Sequence, residues 1–404
     1  MNSVGQRTRV ALLGSTGSIG TQALDVIRRN PELFEVVGLA ASGSRADLFA
    51  EQIVEFSPSL VGIGLGTSAQ DIQMRLFAHA QKQGYADGSY AVPELSIGPE
   101  SAEVVAAMGA DVVLNAVAGA AGLLPTLRAL ESGARLALAN KESLIIGGDL
   151  VKRVAAPGQI IPVDSEHAAL AQCLMAGSRS EVRKLILTAS GGPFRGYSAE
   201  QLSRVTVEQA LNHPTWNMGP LVTVNSASLV NKGLELIEAH LLFDIDFANI
   251  EVVVHPESVV HSMVEFIDGS TIAQASPPDM RIPIAWGLGA PQRIPDAAPA
   301  CDWSQSATWS FSPLDSDVFP AVGIARQAGI AGGTAPAVFN GADEVAVELF
   351  LAGEIGFSDI VPVIRRVLDE HLSSQHVSGN GLTLEHVQEA DRWSRVRVRE
   401  LFSA

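Results

Sequence analysis

The sequence predicts an α/β protein: an N-terminal parallel, doubly wound sheet, then an α+β domain and a helical C-terminal domain. Three observations carry this. The first 160 residues alternate short apolar runs with segments of helical spacing, the pattern of βαβ units. A glycine-rich turn, Gly14-Ser15-Thr16-Gly17-Ser18-Ile19-Gly20, stands at the first strand–helix junction. Of the 404 residues, 47% are apolar and 18% charged, which supplies a sizeable core and excludes global disorder.

In chain order, 9–13 is a short apolar strand. Helical spacing follows at 20–29 (Ala23, Leu24, Ile27), ending near Asn30-Pro31. A second strand is expected at 34–41 and a second helix at 46–56. Further strands are expected at 60–63, 111–116, 135–139 and 159–163, with a helix at 123–132 that stops at Gly133. Residues 1–163 thus form the first domain. Residues 164–290 differ in texture. Strands are expected at 184–188, 221–224, 251–255, 259–266 and 271–275, with Asp268-Gly269 as a hairpin turn. One helix is expected over 226–242, and 207–219 reads as a flexible loop. Residues 291–320 carry five prolines and read as a linker. Residues 321–404 are mostly helical in pattern (342–351, 360–371, 384–399).

The charge balance excludes several functions. Lys plus Arg total 27 and Asp plus Glu total 44, a net of −17. A nucleic-acid or anionic-membrane surface needs a basic face, so neither partner is expected. Only Cys173 and Cys301 are present, which rules out a disulfide framework and a Cys-rich zinc module. The polar start, 1–9, lacks the features of a targeting segment, and the apolar stretch 112–127 is too short and broken to span a membrane. A reduced, cytoplasmic protein is the expectation.

Glycines in the 14–20 turn let the backbone approach a pyrophosphate, and the next helix N-terminus offers unpaired N–H groups to it. The spacing is G-x-x-G-x-x-G, so the usual G-x-G-x-x-G fingerprint is only partly met, and a tight strand–helix turn also uses glycine. Its position at the first βα junction favours a Rossmann-like dinucleotide domain. The second strand ends in Ala41-Ser42-Gly43-Ser44-Arg45, with no acid before Asp47. An NAD site places an acid there, whereas hydroxyls and an arginine suit a 2′-phosphate, so NADPH is favoured. An ordinary βα loop with a solvated arginine is the bland alternative.

Val163-Asp164-Ser165-Glu166-His167 follows the strand 159–163. If that segment is extended, the carboxylates of Asp164 and Glu166 point the same way and repel unless a cation or proton lies between them. Oxygen ligands without cysteine favour Mg²⁺ or Mn²⁺. An acidic cap starting the next helix is the competing reading. On the helix 226–242, Asn231, Lys232 and Glu235 fall within about 100° of arc, so an amide, a cation and a carboxylate share one face. They could bind a phosphate while lending one metal ligand, or form a solvated polar face. Asn140-Lys141-Glu142 follows a strand. His213-Pro214-Thr215-Trp216-Asn217-Met218-Gly219 puts aromatic bulk on a connection that suits a water-excluding lid, or a loop anchored by Trp216.

Taken together and in order, these segments resemble the 1-deoxy-D-xylulose 5-phosphate reductoisomerase family. The similarity includes 14–20, 140–142, 163–167, 188–194, 213–219, 226–235, 255–264 and 339–360, nearly the whole chain. The resemblance implies a homodimeric cytoplasmic enzyme of non-mevalonate isoprenoid precursor biosynthesis. It would rearrange 1-deoxy-D-xylulose 5-phosphate and reduce the product with NADPH to 2-C-methyl-D-erythritol 4-phosphate. On matching positions, Asp164, Glu166 and Glu235 would hold Mg²⁺ or Mn²⁺, with Co²⁺ as a further fit. Ser190, Ser226, Asn231 and Lys232 would clamp the phosphate, with His213 beside it. Ser165 and Lys141 would meet the hydroxy-ketone end. Thr16, Gly17, Ser18, Ile19, Asn140, Glu142 and Gly219 would face the cofactor, and Trp216 and Met218 would ride on the closing loop. Ser42-Gly43-Ser44-Arg45 departs from the Gly-Lys-Asn type of sequence in the family, so Arg45 is only one candidate to grip the 2′-phosphate. His255 and His261 match a His-Pro-x-Ser-Val-x-His pattern and receive no chemical role.

Overall fold

Seven parallel strands build the first sheet: β1 (Thr8–Leu13), β2 (Phe34–Ala41), β3 (Leu60–Ile63), β4 (Glu94–Ile97), β5 (Val112–Asn115), β6 (Arg135–Leu138) and β7 (Ile160–Pro162). This is a computed structural model, and it describes residues 7–86, 89–216 and 218–403. Strand order is β4-β3-β2-β1-β5-β6-β7, so the winding direction reverses between β1 and β5. The glycine turn leaves β1 at that switch point, where an open α/β sheet binds its ligand. Val10, Leu12, Leu39, Val61 and Leu114 anchor the core beneath it.

Six of these strands follow from the apolar runs. β4 does not, because Glu94–Ile97 lies at the sheet edge and buries none of its residues fully. The helix Ala69–Lys82 was also not expected, although its buried Ile72, Leu76 and Ala80 recur every four residues.

The chain divides into two compact units. Residues 1–140, 154–164 and 280–298 form the first; 141–153, 165–279 and 299–404 form the second. The divisions expected at 163 and 290 are therefore redrawn. Arg135 Nη1 and Nη2 donate to the carbonyls of Ala290 and Leu288 at 2.6 and 2.7 Å, and Ile284 and Leu288 join the first core. These contacts hold the helix Arg281–Gly289 in the first unit.

The second unit contains β8 (Val182–Ala189), β9 (Ile250–Val254), β10 (Val260–Phe266), β11 (Thr271–Ala275) and β12 (Ser312–Pro313), in the order β11-β10-β8-β9-β12. β8 and β9 are parallel, and the remaining pairs are antiparallel. The expected β10–β11 turn is present: Gly269 takes φ +90°, and Asp268 Oδ1 accepts from Ser270 N at 2.9 Å. The helices Ala335–Leu351, Ile360–Ser374 and Leu384–Phe402 share one apolar core with this sheet and with the helix Val230–Phe243. Continuous burial makes them part of the second unit.

Four local expectations are corrected. Residues 221–224 are not a strand; they lie in the helix Pro220–Ser228, with proline at its first position, where a missing N–H costs nothing. The expected single helix 226–242 is two helices, broken at Leu229, whose φ is +61°. Residues 165–167 are not extended, because the helix Ser165–Leu174 begins there. In 207–219, Val207–Leu211 is helical and starts at a Thr206/Gln209 capping box. Asn217 lies outside the described residues. Among the described residues, no helix is long and apolar enough to cross a membrane.

Candidate active site

The helix Val230–Phe243 carries Asn231, Lys232 and Glu235 on one arc, as its 3.6-residue period requires. The Glu235 and Lys232 side chains are 2% and 4% exposed. Lys232 Nζ bonds Glu166 Oε1 at 2.7 Å and also pairs with Glu235. Lys141 Nζ reaches Glu235 Oε1 at 3.1 Å and Asn231 Oδ1 at 3.0 Å. Asn231 Nδ2 also donates to Glu235. Two ammonium groups and one amide thus converge on one buried carboxylate. Burial opposes the Lys232 charge, but Glu166 and Glu235 outweigh it and hold the ammonium above its ordinary range.

Asp164 is the last residue of the 154–164 segment of the first unit and is peptide-bonded to Ser165, the first residue of the helix carrying Glu166. Asp164, Glu166 and Glu235 each offer a carboxylate oxygen, and these lie within 4.8 Å of one another. An all-oxygen, triply anionic set fits a hard divalent cation such as Mg²⁺. Ser165 Oγ donates to Glu166 Oε2 at 2.5 Å. Ligand atoms of Asp164, His167 and Glu238 likewise lie within 4.8 Å of one another. His167 is fully buried, with Nε2 2.9 Å from Glu235 O and Nδ1 3.3 Å from Glu238 Oε2. The sequence segment 163–167 includes His167, but Glu238 was not singled out. The Glu235–Glu238 spacing, one helical turn on the same face, was the available signal.

A second cluster in this unit centres on His213. Its Nδ1 accepts from Thr215 N at 3.1 Å and Trp216 N at 2.9 Å, so that nitrogen carries no proton. Nε2 lies 3.2 Å from Ser190 Oγ and 3.1 Å from Ser226 Oγ. Burial pushes the His213 pKa down, favouring the neutral ring with its proton on Nε2. The Trp216 ring lies 6.2 Å from that of His261. Thr223 Oγ1 donates to Gly219 O at 2.9 Å and Met218 O at 3.4 Å, fixing the loop exit. His255 is a fold contact: Nε2 accepts from Val259 N and Val260 N at 3.2 and 3.1 Å.

The first unit carries the glycine turn. Gly14 takes φ +80°, and a Cβ there would lie 2.4 Å from Ala116 O. Among the described residues no side chain caps the helix Ser18–Arg29, which leaves its first-turn N–H groups without a side-chain acceptor. Arg45 Nη1 donates to Thr16 O at 2.7 Å, which brings the guanidinium to the turn. Ser42 and Ser44 hydroxyls are 3.0 Å apart beside Gly43, whose φ is +94°. Asn140 Nδ2 donates to Val117 O at 2.5 Å and Gly119 O at 2.9 Å, tying down the loop after β5. Asn115, not singled out from sequence, does similar work through Gly122 O at 3.0 Å and Val117 N at 3.1 Å. The expected Asn140-Lys141-Glu142 trio is split between the units after Asn140.

Comparison with known proteins decides the family. Three family models match: 1-deoxy-D-xylulose 5-phosphate reductoisomerase over residues 10–148, its C-terminal domain over 160–243, and the DXP reductoisomerase C-terminal domain over 275–397. A 1-deoxy-D-xylulose 5-phosphate reductoisomerase from Kitasatospora griseola is 57% identical over 392 residues, 97% of this chain and 99% of that one. The chain belongs to the 1-deoxy-D-xylulose 5-phosphate reductoisomerase family. A reductoisomerase from Cutibacterium acnes is 55% identical over 401 residues, covering 97% of this chain and 98% of that one. The solved reductoisomerase from Zymomonas mobilis, in complex with NADPH, superposes with TM-score 0.88 at 37% identity, covering 99% and 100% of the two chains. Another solved reductoisomerase, in complex with NADPH, fosmidomycin and magnesium, has TM-score 0.88 at 36% identity over 98% of both chains.

Proposed function

We infer that this chain performs the NADPH- and divalent-metal-dependent rearrangement and reduction of 1-deoxy-D-xylulose 5-phosphate to 2-C-methyl-D-erythritol 4-phosphate, in non-mevalonate isoprenoid precursor biosynthesis. The observation that carries the reading is the convergence of Asp164, Glu166 and Glu235, in a chain of this family. Those three carboxylates would hold Mg²⁺ or Mn²⁺. A divalent cation there supplies Lewis-acid polarisation of a ketone and its neighbouring hydroxyl.

The protein's own residues do the rest. Lys141 and Ser165 lie beside the carboxylates and would orient the hydroxy-ketone. His213 donates through Nε2 to a serine oxygen, which leaves the Ser190 and Ser226 hydroxyl hydrogens to bind the substrate's phosphate. Asn231 and Lys232 would complete that clamp. Grip on the phosphate, remote from the reacting carbons, provides binding energy for ordering the reacting end and for closing the Trp216–Met218 loop. Closure would exclude water from the aldehyde, for which NADPH would supply the reducing hydride. Thr16 to Ile19, Asn140, Glu142 and Gly219 would face the cofactor. Arg45, held against the turn, would reach the 2′-phosphate with Ser42, Gly43 and Ser44.

The test is direct. The purified chain, the deoxyxylulose phosphate, NADPH and Mg²⁺ or Mn²⁺ are expected to consume NADPH, and EDTA to stop it. No consumption by folded protein would sink the reading, and activity surviving EDTA would point to a metal-independent dehydrogenase. Glu235→Gln is expected to lower kcat by about 100-fold or more while the NADPH Kd changes less than about twofold. A collapse of NADPH affinity with turnover would contradict the separation of roles.

A cytoplasmic homodimer is part of the same proposal. Sedimentation at the monomer mass would refute the dimer.

A further inference from the structure

The helix Ala335–Leu351 carries Asp343 into the interior of the second unit, where it is 1% exposed. Facing it is Asn225, 3% exposed, on the helix Pro220–Ser228. Asn225 Nδ2 donates to Asp343 Oδ2 at 2.6 Å. The remaining oxygens, Asn225 Oδ1 and Asp343 Oδ1, are both buried and have no hydrogen-bond partner among the described residues. Two buried acceptors in one pair are therefore short of one donor. Leaving both unsatisfied is costly, and a single proton placed on the acid satisfies both.

We propose that Asp343 is a positioning residue kept as a neutral acid, whose O–H donates to Asn225 Oδ1 and closes a ring of two hydrogen bonds. Its surroundings favour this state. Burial pushes the Asp343 carboxyl well above the usual range, the Asn225 bond opposes, Glu344 and Glu142 add to the rise, and Arg395 opposes. Arg395 is itself engaged by Glu344 and Asp391, each at 2.8 Å. The ring pins the helix Pro220–Ser228 to the helix Ala335–Leu351. Asn225 directly precedes Ser226, whose hydroxyl lies 3.1 Å from His213 Nε2. Asp343 thereby sets the position of Ser226, an inference that rests on the reading of Ser226 and His213 as phosphate ligands.

Paired variants test it in the full-length protein. Asp343→Asn keeps one donor and one acceptor facing Asn225, and the swap Asn225→Asp with Asp343→Asn rebuilds the ring with its roles exchanged. Both are expected to hold KM for deoxyxylulose phosphate within about twofold of the native value. Asn225→Leu removes the ring and is expected to raise KM about tenfold, with kcat changed less. Asn225→Asp alone sets acid against acid, so its KM is expected to climb as pH rises and the pair loses a proton. Infrared difference spectra of native protein against Asp343→Asn, at neutral pH, read the protonated carboxyl without any turnover. A swap variant with a KM as high as that of Asn225→Leu overturns the proposal. So does a spectrum with no protonated-carboxyl band lost. If Asn225→Leu fails to fold, the swap and the spectrum still decide. Lack of turnover by the native chain would instead count against the catalytic reading and leave the infrared result standing.

Discussion

At the residue scale, the glycine turn depends on atoms that are missing. A Cβ on Gly20 would lie 2.3 Å from Gly14 O and 2.6 Å from Ser15 Cα. Those are backbone atoms and cannot swing aside. Gly20→Ala must therefore displace the turn or the helix start, and with them the N–H groups proposed to meet the cofactor's pyrophosphate. NADPH affinity, read by fluorescence titration, is expected to fall by about tenfold or more. An unchanged affinity would mean that the turn does not grip the dinucleotide. The motif itself is legible as local spacing. Arg45 was legible only as a candidate, because its bond to Thr16 O crosses 29 residues of chain.

At the element scale, the decisive feature is the reversal between the helices Pro220–Ser228 and Val230–Phe243. Leu229 makes it with φ +61°, a conformation that costs a non-glycine residue about 1–2 kcal/mol. Leucine is no turn residue, so apolar periodicity read straight through the break. Yet Leu229 is 4% exposed in the second core, and burying a leucine is worth about 2–3 kcal/mol. Packing wins over strain. Leu229→Gly is accordingly expected to lower the thermal midpoint by about 2–6 °C, despite relieving the backbone. A higher midpoint in a thermal melt would reverse that ranking. The same competition explains 221–224: Val222, Thr223 and Val224 suit a strand intrinsically, but Pro220 starts a helix and tertiary burial keeps it.

At the scale of the whole molecule, a net −17 confronts two anionic ligands. Lys141 and Lys232 are locally attractive, but Glu235 and Glu166 already engage them. Long-range repulsion should therefore dominate the approach of NADPH. Raising ionic strength from about 10 mM to about 150 mM shortens the screening length from about 30 Å to about 8 Å. The NADPH association rate in stopped flow is expected to rise over that interval. A fall would show that local cations control the encounter instead.

By itself the sequence determined most of the first sheet, the glycine turn and the β10–β11 hairpin. Each is written in short-range periodicity, turn chemistry or motif order, which act over a few residues. Only the tertiary structure decided that Glu235 meets Lys141 across 94 residues, that three carboxylates gather without an extended 164–166 segment, and that 280–298 packs with the first unit. It also placed Asp343 against Asn225, 118 residues away. Such meetings depend on which surfaces the chain brings together in burying its apolar area, and no local period encodes that choice.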